Sequence, residues 1–168
     1  RVPFRVGEQL TYDLRLKLGV VGLGRVGTGR MLIAGVDTVR GRPSYHLVFE
    51  IQGGTIGFRV KDRYESWVDT ATFASLRHTQ QIREGGYHRN TSYEIFPERS
   101  TYSKNGGDEH PSVNLPLDDG SFIYYVRTLA LDAGERREVG RYFKPAQNPV
   151  VLVASRRDSV DVPAGRFA

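Results

Sequence analysis

The sequence predicts a mainly β protein, a single meandering antiparallel sheet of about nine or more strands with one short helix. Three observations carry this. Apolar and polar residues alternate with period two in the first long segment, where Leu10, Tyr12, Leu14, Leu16, Leu18 and Val20 interleave with Thr11, Asp13, Arg15, Lys17 and Gly19. A helix would scatter those apolar groups around its circumference, whereas a strand places them on one face. Glycine- or proline-bearing turns recur along the chain, and only one segment has helix spacing behind a capping residue.

The elements follow in order. A glycine-rich turn at Gly22–Gly24 leads to a second strand over residues 25–36, and Val39-Arg40-Gly41-Arg42-Pro43 reads as a hairpin turn. The third strand carries Tyr45, Leu47, Phe49 and Ile51 on one face and breaks at Gly53–Gly54. Further strands are expected over 57–68, 75–84, 87–96 and 99–103, a turn at Asn105-Gly106-Gly107 and a loop over 108–116. Asp118 or Asp119 caps a helix on which Phe122, Ile123, Val126 and Leu129 fall at helical spacing. Strand patterns return over 135–143 and 150–155. Neighbouring strands in sequence are expected to pair, because short connections favour it. The strand at 75–84 is polar on both faces apart from Leu76 and Ile82, which suits a sheet edge or the wall of a wet cavity.

A chain of 168 residues fits one domain, residues 1–168, and can bury a single core. It starts at Arg1 without a methionine and stops at Ala168, just after a turn that should lead into another strand, so truncation at the C-terminal end is expected. Cysteine is absent, which excludes disulfides and thiolate chemistry. The net charge of +5 comes from 20 Arg and 4 Lys against 19 acids, a balance that suits an anionic surface or partner.

Few motifs carry chemistry. Gly22-Leu23-Gly24-Arg25-Val26-Gly27 matches the dinucleotide fingerprint in letters, but the fingerprint works only between a buried parallel strand and a helix, and the flanking segments read as half-polar strands. Its glycines suit a turn or the close approach of another backbone. His46, His78 and His88 fall on separate strands, and Asp108-Glu109-His110 lacks the ligand spacing of a calcium loop. No catalytic set is found, and neither metal nor cofactor is expected. Arg59, Lys61, Arg63 and Glu65 share one strand face, as do Arg77 and Arg83 on the next. The hairpin they form would bear a basic stripe partly neutralised by Glu65 and Glu84.

The run Lys61-Asp62-Arg63-Tyr64-Glu65-Ser66-Trp67-Val68-Asp69, with Gln81-Ile82-Arg83-Glu84-Gly85-Gly86-Tyr87, resembles a bacterial envelope family catalogued as domain of unknown function three-one-zero-eight. Pro3 to Tyr12, Ile123 to Leu129 and Val162-Pro163-Ala164-Gly165-Arg166-Phe167 agree with it in the same order. The resemblance implies an exported, periplasmic protein. It also implies a curled antiparallel sheet, an open barrel or β-roll with a helix on its concave side, similar in shape to periplasmic lipoprotein carriers. It brings no catalytic residues.

Two functions are expected from these readings. The first is a non-catalytic exported binding or scaffold protein, a peripheral subunit docked on a membrane protein complex such as a photosynthetic or respiratory one, or on an anionic membrane surface. Its contact surface would be Arg59, Arg63, Trp67, Arg77, Arg83 and Tyr87, since Arg, Trp and Tyr dominate interface energetics. The alternative is a periplasmic carrier with lipid or another apolar ligand in the curled sheet, lined by Leu14, Leu16, Leu18, Phe49, Phe122 and Val126. Nucleic acid is not an expected partner.

Overall fold

The computed structural model describes the backbone of residues 2–18 and 21–167, and the side chains of these residues except 16–18 and 21–23. Eight strands form one antiparallel sheet in strict sequence order: β1 (Gln9–Leu18), β2 (Val21–Val39), β3 (Arg42–Thr55), β4 (Phe58–Asp69), β5 (Ser75–Glu84), β6 (Tyr87–Phe96), β7 (Thr101–Lys104) and β8 (Glu109–Pro111). The meander is the one the alternation predicts. The sheet does not close: β1 and β8 stand at opposite edges, so it is an open sheet rather than a barrel. One helix, α1 (Asp119–Val126), follows, and then two small ladders, β9 (Arg136–Val139) with β10 (Val150–Val153) and β11 (Val160–Val162) with β12 (Gly165–Phe167).

Three local expectations are corrected. Gly22 and Gly24, expected in a turn, lie within β2, which starts at Val21; Gly19 and Val20, expected on the first strand, lie outside the described residues. The strand β3 continues through Gly53–Gly54 to Thr55. Gly27 and Gly53 face each other there, and a Cβ on Gly27 would lie 2.5 Å from the Gln52 carbonyl oxygen, so the glycines permit two backbones to close in where side chains would hold them apart. Residues 109–111, expected in a loop, form β8, because Arg99 and Thr101 hold Glu109 against β7. The dinucleotide-like glycines lie within a β-strand, with no helix after them.

One face of the sheet, the inner face, is covered. Register places Leu10, Met31, Phe49, Tyr64 and Gln80 side by side on it. Phe4 folds over from the N-terminal segment, and its ring meets Tyr45, Phe73 and Tyr124 at 5.7, 6.1 and 5.8 Å between centroids. With Met31, Ile33, Leu47 and Val68 these rings form the main core. A second cluster gathers Tyr93, Ile95 and Phe143, and ties the segment after β9 to β6. Residue 143 gets there because Leu117 and Phe143 bond through their backbones, Phe143 N–H donating to Leu117 O at 2.9 Å.

Candidate ligand site between the helix and the sheet

The site starts at the cap of α1. Asp118 has extended backbone (φ −98°, ψ 179°), and its Oδ1 accepts from the N–H groups of Gly120 and Ser121, both at 2.9 Å. Ser121 returns the favour by accepting from Asp118 N–H at 2.8 Å, a complete capping box. Sequence reasoning left Asp118 and Asp119 as alternatives; the structure assigns the cap to Asp118 and frees Asp119 to face the sheet.

The cap is fastened to β4 and β5 by polar side chains with almost no exposure. Ser66 Oγ–H donates to Asp118 Oδ1 at 2.6 Å, and Ser75 Oγ lies 2.8 Å from Ser121 Oγ. His78 is wholly buried, with Nδ1 2.9 Å from the Glu65 carbonyl oxygen and 3.4 Å from Asp118 Oδ1, and Nε2 3.6 Å from Asp119 Oδ2. Gln80 donates to Asp119 Oδ2 at 2.7 Å, and Tyr142 O–H donates to Asp119 Oδ1 at 2.7 Å. Gln80 Nε2 also lies 3.1 Å from His78 Nε2, where it can donate to the neutral ring. The network satisfies most of these groups, which would be expensive to bury alone, but Asp118 Oδ2 is buried with no hydrogen-bond partner among the described residues.

Ser66, His78 and Asp118 are the residue types of a hydrolytic triad, but their arrangement differs from one. The Ser66 hydroxyl gives its proton to the carboxylate rather than to the imidazole, and Ser66 is 1% exposed. Among the described residues no group of three or more His, Asp or Glu is placed to hold a metal ion; Glu109 of the polar cluster near residue 108 is bound to Arg99 instead.

Burial opposes a charge on His78, but Asp118 and Asp119 outweigh it and raise its pKa. Burial pushes Asp119 up, yet the neighbouring His78 and the hydrogen bond from Tyr142 overcome it and lower that pKa. The signs fix a pH window. A raised histidine contributes stability that is present below its unfolded value, about 6.5, and is lost as pH rises through the folded value. A depressed carboxylate contributes above its unfolded value and loses the contribution as pH falls through the folded one. The gap in urea midpoint between the native protein and His78→Gln is therefore expected to widen from about pH 8 to about pH 5.5. A gap that stays constant over this range would show that His78 does not titrate there.

Beside this buried network, the inner face opens. Phe49, Ile51 and Ile82 form an apolar floor, Tyr64, Gln80, Arg89 and Asp119 supply polar atoms, and Gly120 and Ile123 of α1 form one wall of a recess of about 330 Å³. It exists because the cover is short. An eight-residue helix is about 12 Å long, whereas the twelve residues of β4 reach about 40 Å. The helix roofs the Ser66 end of β4 and leaves the end beyond Tyr64 open.

Of the lining expected from the sequence, Phe49 lies in the recess and Leu14 lies half-buried on the same face. Phe122 and Val126 are half-buried elsewhere on α1, and Phe122 meets Tyr125 edge-on. The side chains of Leu16 and Leu18 lie outside the described ones. Ile51 shares the strand face of Phe49 and Ile123 lies on the one helix, as the sequence has them; sequence reasoning missed Ile82 as lining, although Leu76, His78, Gln80 and Ile82 sit at alternate positions. The apolar ends of that set signal a covered face. Strand β5 is accordingly an interior strand walling the recess rather than an edge.

The residues expected as a contact surface divide between the faces. Arg59, Arg63, Trp67, Arg77 and Arg83 lie on the outer face by register and alternation, while Tyr87 belongs to the inner-face set. Several are already engaged. Arg63 bonds Glu50 and Glu65, Arg77 bonds Glu94 at 2.5 Å, and Trp67 donates to Asp37 at 2.8 Å while stacking on His46 at 4.5 Å. Within the stripe Arg63 and Arg77 are thus neutralised, by Glu50 and Glu94 from the flanking strands as well as by Glu65, whereas Arg59, Lys61 and Arg83 have no ion pair among the described residues.

The molecule is thus an open antiparallel β-sheet protein with a short helix laid on one face and a recess of mixed apolar and polar lining beside that helix. The chain belongs to the family described as Protein of unknown function (DUF3108), whose model matches residues 11–168. Searches of curated proteins and of solved structures find no match.

Proposed function

We propose that this protein is a non-catalytic binding protein that carries a lipid chain or similar apolar ligand in the recess between α1 and the sheet. The observation that carries this reading is the uncovered apolar floor of Phe49, Ile51 and Ile82, with Ile123 41% exposed at its lip. Removing such surface from water is worth about 25 cal/mol per Å², so a chain laid there gains affinity without any displacement of the core. The periplasmic location implied by the family resemblance is part of the proposal, and cell fractionation tests it.

Mass spectrometry of gently purified protein is expected to find a co-purifying lipid, and a fluorescent fatty acid is expected to be taken up by stripped protein. Ile123→Glu should reduce uptake about tenfold, the loss of one well-buried apolar contact together with a charge at the lip, while leaving the melting temperature unchanged because Ile123 is exposed. Uptake unaffected by Ile123→Glu would place the ligand elsewhere, and no uptake at all would remove the reading.

A second reading, a peripheral subunit docked on a membrane protein complex, is favoured by one observation. Val151, Val153, Val160, Val162 and Phe167 of the small ladders are 42–65% exposed, an apolar display of the kind that interfaces cover. Co-purification of membrane proteins in fixed ratio would support it over the carrier.

A further inference from the structure

In a meander, alternate hairpin tips fall at the same end of the sheet. The β3–β4 and β5–β6 turns are neighbours at one such end, since Gly85 N–H donates to Arg59 O at 2.7 Å and the Phe58 ring lies against Gly85. These tips are apolar. Ile56 is fully exposed at the first turn, Phe58 beside it is 47% exposed, and Tyr87 at the second is 53% exposed. A polar turn would be the ordinary solution at a loop tip in water, so three large apolar groups on two adjoining tips call for something that covers them.

The charges around them say what. Arg59, Lys61 and Arg83 follow directly on the outer face, and among the described residues none has a carboxylate within ion-pair distance. This contrasts with Arg30, Arg63 and Arg77 further along the same face, which are all bound to Glu50, Glu65 or Glu94. Against the three cations, Glu84 is the one exposed acid between the tips and Arg83, while Asp62 is buried and accepts from the Arg83 backbone N–H at 2.9 Å. Apolar and aromatic tips ringed by uncompensated cations match the two layers of an anionic bilayer, whose acyl boundary takes the former and whose head groups attract the latter.

We infer that the β3–β4 and β5–β6 tips form a membrane-docking surface, Ile56, Phe58 and Tyr87 entering the interface and Arg59, Lys61 and Arg83 holding anionic head groups. The recess opens on the inner face towards this end, since Ile51, Ile82 and Arg89 line it from the tip-ward parts of β3, β5 and β6. Docking would set its mouth against the lipid surface. The inference does not require the carrier reading, since a protein with an empty recess could dock in the same way.

Vesicle co-sedimentation tests it. Binding is expected to vesicles of mixed phosphatidylcholine and phosphatidylglycerol, weakly or not at all to phosphatidylcholine alone, and to weaken as salt is raised. Lys61→Gln and Arg83→Gln should each reduce binding about fivefold, the equivalent of one head-group attraction of about 1 kcal/mol. Ile56→Asp should abolish binding with an unchanged melting curve, because the side chain touches solvent alone. Equal binding to both vesicle types, or unaltered binding by Ile56→Asp, would overturn the inference. So would failure to bind either vesicle, which would assign the tips to an acidic protein.

Discussion

Asp118→Ala is expected to destabilise the protein by about 3 kcal/mol, the sum of a lost helix cap and of buried partners left unsatisfied. The carboxylate caps two N–H groups of α1, accepts from Ser66 and lies 3.4 Å from His78, all without exposure to water. Alanine would orphan each of these donors at once. Asp118→Asn is the informative comparison. Its amide oxygen can keep the cap and the Ser66 bond, so the loss should fall to about 1 kcal/mol. Removal of the negative charge should also lower the pKa of His78, because Asp118 is the leading attractive partner of that ring. Urea unfolding of both variants, with imidazole resonances followed against pH, checks the two effects separately. An alanine variant within about 1 kcal/mol of the native protein would mean that α1 is held by its apolar contacts alone.

Tyr124→Ala should cost about 3–5 kcal/mol, the range for removing a large aromatic from a core. Tyr124 is 1% exposed, is the chief anchor of α1 in the main core, and packs edge-on against Phe4. Its hydroxyl spans the seam between β2 and β3, donating to the carbonyls of Leu32 and Val48 at 3.2 Å each, next to the register shift between Ile33 and Gly35. Tyr124→Phe retains the ring and should lose about 1 kcal/mol. Thermal melts of the two variants separate ring packing from the hydroxyl bridge, and near-equal losses would assign the anchoring to the hydroxyl. Because α1 forms the wall of the recess, Tyr124→Ala should also abolish fatty-acid uptake.

What the sequence made legible was what depends on local pattern. The alternation of Leu10 to Leu14 on β1, the successive hairpins and the capped segment at Asp118 all follow from rules that act within a few residues. The open-barrel or β-roll shape came from family likeness and not from any residue, and the sheet, open at β1 and β8 and not strongly curled, bears it out only in part. The buried network was illegible for a different reason. Ser66, His78 and Gln80 are polar residues on strands, and polarity ordinarily means water. They are dry here because a helix end, with its own unsatisfied groups, comes down on them from about 40–50 residues further along the chain. No local rule anticipates that partner. The neutralisation of Arg63 and Arg77 within the basic stripe was hidden in the same way, since Glu50 and Glu94 lie on strands other than those carrying the two arginines.

The strict order of the meander has a consequence for synthesis. Each strand of the large sheet pairs with the one made just before it, so the hairpins can assemble as the chain emerges from the ribosome or a translocation pore. The cover does not arrive on the same schedule. Tyr124 closes over Leu32 across 92 residues, and Phe143, which seals the second cluster, is made later still. During that interval a wide apolar surface stands bare and β1 offers an unpaired edge, the conditions under which nascent chains stick to one another. A truncated chain ending before residue 118 should accordingly aggregate and require a holding chaperone, whereas one extended past Phe143 should remain dispersed.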